Sequence, residues 1–318
     1  MKKLIKQIGI ILTIIGLIVF ISFVNHKMKL KDEDALFKTN GKFVEVNGHH
    51  MNVYLSGNPN SDFTLVFMSG AGTCSPTLDF KTLYALFEKD YQIAVVEKAG
   101  YGFSDISDIS RDIDTILFET RESLNQAGVT NHKYFLFPHS MSGIEALYWA
   151  NKYPDEIKGI VGLDLSVPAA YQNTKINTFL LSAAKFGADI GLTRFLPYLV
   201  DSSSAIKDGN LTEEEKELYR VIFYRRTATT SMINEAKTIK ANAKKLEEVD
   251  TTNVPMLFFI SNGDGTGYSK EEWRSFGVGY LANKQNGKYQ FLDCSHYVHN
   301  IAYQQIYEES IKFINQLK

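Results

Sequence analysis

The sequence predicts an α/β fold built on a mostly parallel sheet. Short apolar runs alternate with helical patterns from residue 64 onward, each run ends in a glycine or proline loop, and an Asn-Gly hairpin precedes the alternation. Strand, loop and helix repeated in this way give parallel strands with right-handed crossovers and helices on both faces of the sheet.

The first element is apolar. Residues 8–24 carry no charge, and Leu4 and Ile5 extend the stretch past Lys6, whose amine can snorkel. A bilayer crossing needs about 17 residues or more, so this segment is long enough. A buried core helix would show a polar face, whereas only Thr13 and Ser22 interrupt the apolar side chains here. Nothing around Ile21-Ser22-Phe23-Val24 resembles a small-x-small cleavage site, so the segment reads as an uncleaved anchor. Lys2, Lys3 and Lys6 nearly balance Lys27, Lys29 and Lys31 across it. The expectation is a single-pass protein of the cell membrane with its large domain extracellular.

Residues 43–46 and 51–55 flank Asn47-Gly48, the strongest short hairpin signal, and open the sheet with two antiparallel strands. Runs at 64–68, 92–96, 134–137 and 159–163 read as buried strands. Residues 168–250 lack strand signals and read as helices. Within them Thr212 and Glu215 form a capping box, followed by the apolar stripe Leu218, Val221 and Ile222. The sheet resumes at 254–260 and 289–292. The expected organisation is a membrane anchor with its flanks at 1–31, an α/β core at 32–167 and 251–318, and a helical cap insertion at 168–250.

Composition excludes several classes of function. Across 318 residues, 34 basic and 36 acidic side chains leave a formal charge of −2, which argues against a nucleic-acid partner. Two cysteines, Cys74 and Cys294, are too few for a disulfide scaffold and too far apart for a local zinc site. They could pair in an oxidising exterior if their Cα atoms lie within about 7 Å. No metal or organic cofactor is expected.

The most informative stretch is 134–150, an aromatic run, then Pro138-His139-Ser140-Met141-Ser142-Gly143, then an alanine-rich helix. A strand-to-helix reversal this tight strains the backbone of the residue at its apex, so its neighbours two before and two after must be small. Pro138 and Ser142 stand where the usual G-x-S-x-G has glycines. Taken alone, Ser140 is better explained as the N-cap of the helix.

Four stations in chain order change that balance. Ser69-Gly70-Ala71-Gly72 resembles the His-Gly-x-Gly loop of the α/β-hydrolase superfamily, with Ser69 replacing the usual His. Residues 97–105, Glu-Lys-Ala-Gly-Tyr-Gly-Phe-Ser-Asp, resemble its Asp-x-x-Gly-x-Gly-x-Ser turn. Ser140 sits at the nucleophile elbow, and residues 293–299, Asp-Cys-Ser-His-Tyr-Val-His, are similar to the family's ending around its histidine. The resemblance covers the chain from Gly41 to Lys318 and implies an α/β-hydrolase fold and a serine esterase acting on a small acyl substrate.

The resemblance assigns Ser140 as nucleophile, His296 as base and Asp264 as acid, in the chain order Ser, Asp, His. His299, three residues on, falls at the start of the terminal helix, where a structural role is expected, and His139 is read as supporting the elbow. His26, His49, His50 and His132 lie in membrane-flanking, hairpin or loop positions and are expected in solvent. Asp264 follows the 254–260 strand in an Asn-Gly-Asp-Gly turn, so a plain turn aspartate is the competing reading, and Asp164 is the fallback acid. A calcium loop counted from Asn262 would need a glutamate where Trp273 stands. Backbone N–H groups of Ala71 and Met141 are expected to bind the developing oxyanion. Serine at 140 departs from haloalkane dehalogenases and epoxide hydrolases, which use an aspartate there. Phe179, Leu180, Phe186, Phe195, Leu196 and Tyr198 are expected either to line an acyl pocket or to form plain core. An enzyme of this kind could equally be a peptidase or acyltransferase, and the losses at Ser69, Pro138 and Ser142 leave room for a non-catalytic binding protein.

Overall fold

The computed structural model describes residues 1–318. Helix α1 (Lys2–Asp32) precedes strands β1 (Lys42–Val46), β2 (His49–Gly57) and β3 (Thr64–Met68). Short helices α2 (Pro76–Asp79) and α3 (Lys81–Tyr84) lead to β4 (Gln92–Glu97), α4 (Ile113–Ala127), β5 (Tyr134–Pro138), α5 (Ser142–Lys152) and β6 (Ile157–Leu163). Five helices follow without a strand: α6 (Thr178–Asp189), α7 (Tyr198–Asp201), α8 (Ser204–Lys207), α9 (Glu213–Arg226) and α10 (Thr230–Val249). The chain closes with β7 (Met256–Ile260), α11 (Lys270–Leu281), β8 (Gly287–Phe291), α12 (Val298–Ile301) and α13 (Tyr303–Asn315).

The eight strands form one sheet in the order β1-β2-β4-β3-β5-β6-β7-β8. β2 pairs antiparallel with β1 and β4, and every other pair is parallel. This is the α/β-hydrolase architecture that the motifs imply. Strand β3 shows why both faces must be covered: Val66 and Met68 pack into one apolar layer while Leu65 and Phe67 pack into the other. Helices α4 and α5 cover the first layer, and α3 and α13 the second, where Phe67 stacks on Phe137 at 4.7 Å. Thr212 and Glu215 form the anticipated reciprocal cap of α9, and a second such cap, Ser269 with Glu272, starts α11.

Two expectations are corrected. Phe179, Leu180, Phe186, Phe195, Leu196 and Tyr198 neither line the cleft described below nor pack as core, because all six are exposed. His26 and His49 are buried rather than solvated: Arg194 Nε donates to His26 Nδ1 at 2.8 Å, and His49 faces Glu119 at 3.8 Å. Cys74 and Cys294 are both free, and burial raises the Cys74 thiol to about 12.

Candidate active site

Parallel strands deliver their C-terminal ends to one edge of the sheet, where crossover loops form a crevice. The loop after β3, the turn after β5 and the loops after β6, β7 and β8 all meet there. Ser140 occupies the turn after β5 with φ +55°, the left-handed backbone that a strained elbow requires.

The two departures from G-x-S-x-G have local explanations. Ser142 Oγ lies 2.7 Å from the Met68 carbonyl and 2.9 Å from that of His139, so its hydroxyl staples the elbow to the end of β3 where glycine could not. His139 N–H also donates to the Met68 carbonyl at 2.9 Å, and this ladder bond follows directly after Pro138, which has no N–H to offer. The need for a missing side chain moves one residue along: a Cβ on Gly143 would sit 2.3 Å from the Ser166 carbonyl. On the other side a Cβ on Gly70 would lie 2.6 Å from Ser140 Cβ, so the 69–72 loop touches the elbow because position 70 is glycine.

The loop after β8 brings His296 to the same place. Ser140 and His296 line one cleft of about 380 Å³ together with Ser166, Tyr171, Thr174 and Trp273. Neither Ser140 Oγ nor His296 Nε2 is engaged by another protein group, which leaves both free for chemistry. His139, next to the nucleophile, reaches the carbonyl of His296 through Nε2 at 3.2 Å and packs on its ring at 4.6 Å, tying the two loops together. Burial and the neighbouring imidazoles of His296 and His299 hold the His139 pKa well below that of free histidine, so His139 stays neutral.

The carboxylate on His296 is Asp164 and not Asp264. Asp164 Oδ2 lies 2.6 Å from His296 Nδ1, and its other oxygen accepts from Ser261 N–H and from Trp273 Nε1, each at 2.7 Å. Asp164 is 1% exposed and has φ +52°. Asp264 is exposed, and its carboxylate accepts from Asn262 Nδ2 at 3.1 Å. Its backbone carbonyl takes the His296 N–H at 2.9 Å, so residue 264 fixes the histidine loop through main chain alone. The physical reason is donor supply: at the end of β6 the Asp164 carboxylate meets the Ser261 N–H, the Trp273 indole and the His296 imidazole, whereas Asp264 in its glycine turn stays exposed.

Met141 follows Ser140 immediately ahead of α5, and Ala71 is next in sequence to Gly70, which touches the elbow. Their backbone N–H groups donate to no protein acceptor. His299 is fully buried and holds Asp79 through Nε2 at 2.9 Å, a structural pair packed beneath the elbow. Behind the site, Lys98 joins Glu145 of α5, at 2.6 Å, to Glu235 of α10, which also accepts from Tyr101 Oη at 2.7 Å. Glu97 takes the first position of the turn that resembles the family's aspartate motif, where it accepts from Phe103 N–H, Asn52 and Thr77. Burial raises the Glu97 pKa, and those donors oppose the rise.

Sequence reasoning missed Trp273 as an orienting donor, because it reaches Asp164 across 109 residues with no spacing that marks it.

Comparison with known proteins agrees with this fold. Residues 59–276 match the family described as serine aminopeptidase, S33. The uncharacterized protein YbdG of Bacillus subtilis (strain 168) is 35% identical over 323 residues, which cover 99% of this chain and 98% of that one. Among solved structures, Cfl2 from Burkholderia cenocepacia superposes with TM-score 0.65 at 15% identity, covering 86% of this chain and 95% of its own. The haloalkane dehalogenase DbeA from Bradyrhizobium elkani USDA94 gives 0.65 at 13% identity, covering 87% and 97%. At such identities the structural likenesses speak for the fold. With the sequence match spanning most of the sheet and both the elbow and the Asp164 loop, the chain belongs to the serine aminopeptidase S33 family of the α/β-hydrolase superfamily.

Proposed function

We propose that this protein is a membrane-anchored serine hydrolase that cleaves a carboxylic ester or related acyl bond through an acyl-enzyme. The observation that carries the reading is one cleft holding an unengaged Ser140 hydroxyl and an unengaged His296 Nε2, with Asp164 on the far nitrogen of the same imidazole. Ser140 Oγ attacks the acyl carbonyl while His296 Nε2 accepts its proton. Asp164 keeps the proton of the neutral ring on Nδ1 and offsets the charge of the imidazolium that forms. The Ala71 and Met141 N–H groups bind the oxyanion. His296 then protonates the leaving alcohol, and water, deprotonated by the same ring, releases the acid and regenerates Ser140.

An ester suits the cleft better than an aminopeptidase substrate does. An aminopeptidase must hold its substrate's ammonium group, and none of the eleven lining residues is acidic. Helices α6–α10 act as a cap over the core. Helix α1, long and apolar enough to cross a bilayer, is the anchor, with the catalytic body on the outer side.

The test is hydrolysis of p-nitrophenyl esters of increasing acyl length by the full chain. Turnover is expected, and Ser140→Ala is expected to lower kcat by about 10⁴-fold or more. A folded wild-type protein that turns over none of the series would favour the non-catalytic binder.

A further inference from the structure

We propose that the exposed apolar face of segment 178–199 seats in the bilayer beside α1, so that the acyl substrate reaches Ser140 from the membrane. This rests on the reading of α1 as a membrane span and extends the proposed esterase reading. Helix α6 buries only Ala188, and Phe179 is 83%, Leu180 63%, Phe186 56% and Phe195 59% exposed. Large apolar side chains gathered on one water-facing segment mark a contact surface, and the question is what covers it.

Three observations answer that lipid does. First, charge on the segment is sparse and paired. Between Asn177 and Val200 only Lys185, Asp189 and Arg194 are charged. Lys185 pairs with Asp189 at 2.9 Å, and Arg194 pairs with Glu33 at 2.6 Å, so each meets its counter-charge within the protein. Second, the segment is joined to the anchor at the level where its apolar stretch ends. Ser22 Oγ donates to the Ile190 carbonyl at 2.6 Å, and Gly191, at φ +76°, lies so close to His26 that a Cβ there would be 2.4 Å from the histidine's own. Phe23 and Val24 beside these contacts are exposed, so the lipid-facing side of α1 runs into the face of α6 and the loop after it. Third, Ala170, Tyr171 and Thr174 line the cleft, and α6 begins four residues after Thr174. The apolar face and the rim of the site are consecutive in the chain. A helix with such a face lies in the interface with its apolar side in the acyl region.

The test uses the full chain in phosphatidylcholine vesicles whose acyl chains carry bromine, which quenches nearby tryptophan. Phe179→Trp and Phe195→Trp probe the face, Phe20→Trp probes α1, and Tyr289→Trp on edge strand β8 is the water-exposed control. The native Trp149 and Trp273 are buried, and their emission is subtracted using the parent chain. Bromolipid is expected to lower the added emission at 179, 195 and 20 about twofold or more and to leave 289 unchanged. Quenching at 20 alone would overturn the proposal, as it would if a second copy of the chain covered the face. Equal quenching at 289 would also overturn it, since adsorption would then be general. No quenching at 20 would remove the span on which the proposal rests. Fluorophosphonate labelling of the same vesicles reads the hydrolase chemistry separately, so failure of one reading is distinguishable from failure of the other.

Discussion

The choice between two aspartates shows what controls the site at the scale of single residues. Both follow a strand and precede a glycine or serine turn, so residue type and spacing do not separate them. What separates them is donor supply: Asp164 collects three buried donors, from a loop, an indole and an imidazole, whereas Asp264 caps its own turn in water. A buried carboxylate is stable only when so paired, and this pairing fixes the plane of His296. Asp164→Asn should therefore lower kcat by about 10⁴-fold, while Asp264→Asn should leave it within a few-fold. Steady-state kinetics on both variants checks this, and the reverse ranking would return the acid to position 264. Ser140 and His296 were visible in the sequence because each sits in a compact local motif. Asp164 was visible only as the fallback acid and Trp273 not at all, because their meeting with His296 across the sheet is encoded by no local pattern.

At the scale of elements, helix α5 joins the elbow to the rest of the molecule. Its first residue staples β3, and its Glu145 shares Lys98 with Glu235 of α10, so the base of the elbow and a helix of the 168–250 insertion are held by one buried network. Burial lifts the Glu145 pKa to about 7, against the pull of Lys98 and with a push from Glu235. A carboxyl whose folded pKa lies above its unfolded value stabilises the fold fully below the unfolded pKa and loses that contribution as pH rises to the folded one. Thermal stability should accordingly fall between about pH 4.5 and 7, and Glu145→Gln should flatten that fall. Tm measured across this range for both proteins checks it; parallel curves would place the titration elsewhere. The strands, the hairpin and the capping box of α9 were legible because periodicity and turn chemistry are local signals. The fate of α6 was not: the same apolar spacing serves a buried face, a pocket wall or an exposed surface, and only packing tells them apart.

Across the whole molecule, the sheet gathers five loops at one crevice, and α1 with its C-terminal cap meets the 178–199 segment through Ser22, His26 and Glu33. Motif order was enough to identify the superfamily, since each station marks the end of a particular strand. The contact between α1 and the 178–199 segment was beyond reach, because it joins residues 161 to 168 positions apart through a hydroxyl, an imidazole and a carboxylate. The proposed hydrolysis requires that His296 activate Ser140. The most direct measurement is the intact mass of the full chain after treatment with a fluorophosphonate, with the adduct located by peptide mapping. One adduct on Ser140, lost in Ser140→Ala and strongly slowed in His296→Asn, is the predicted result. A folded chain that acquires no adduct, or one that labels equally fast without the imidazole, would contradict it.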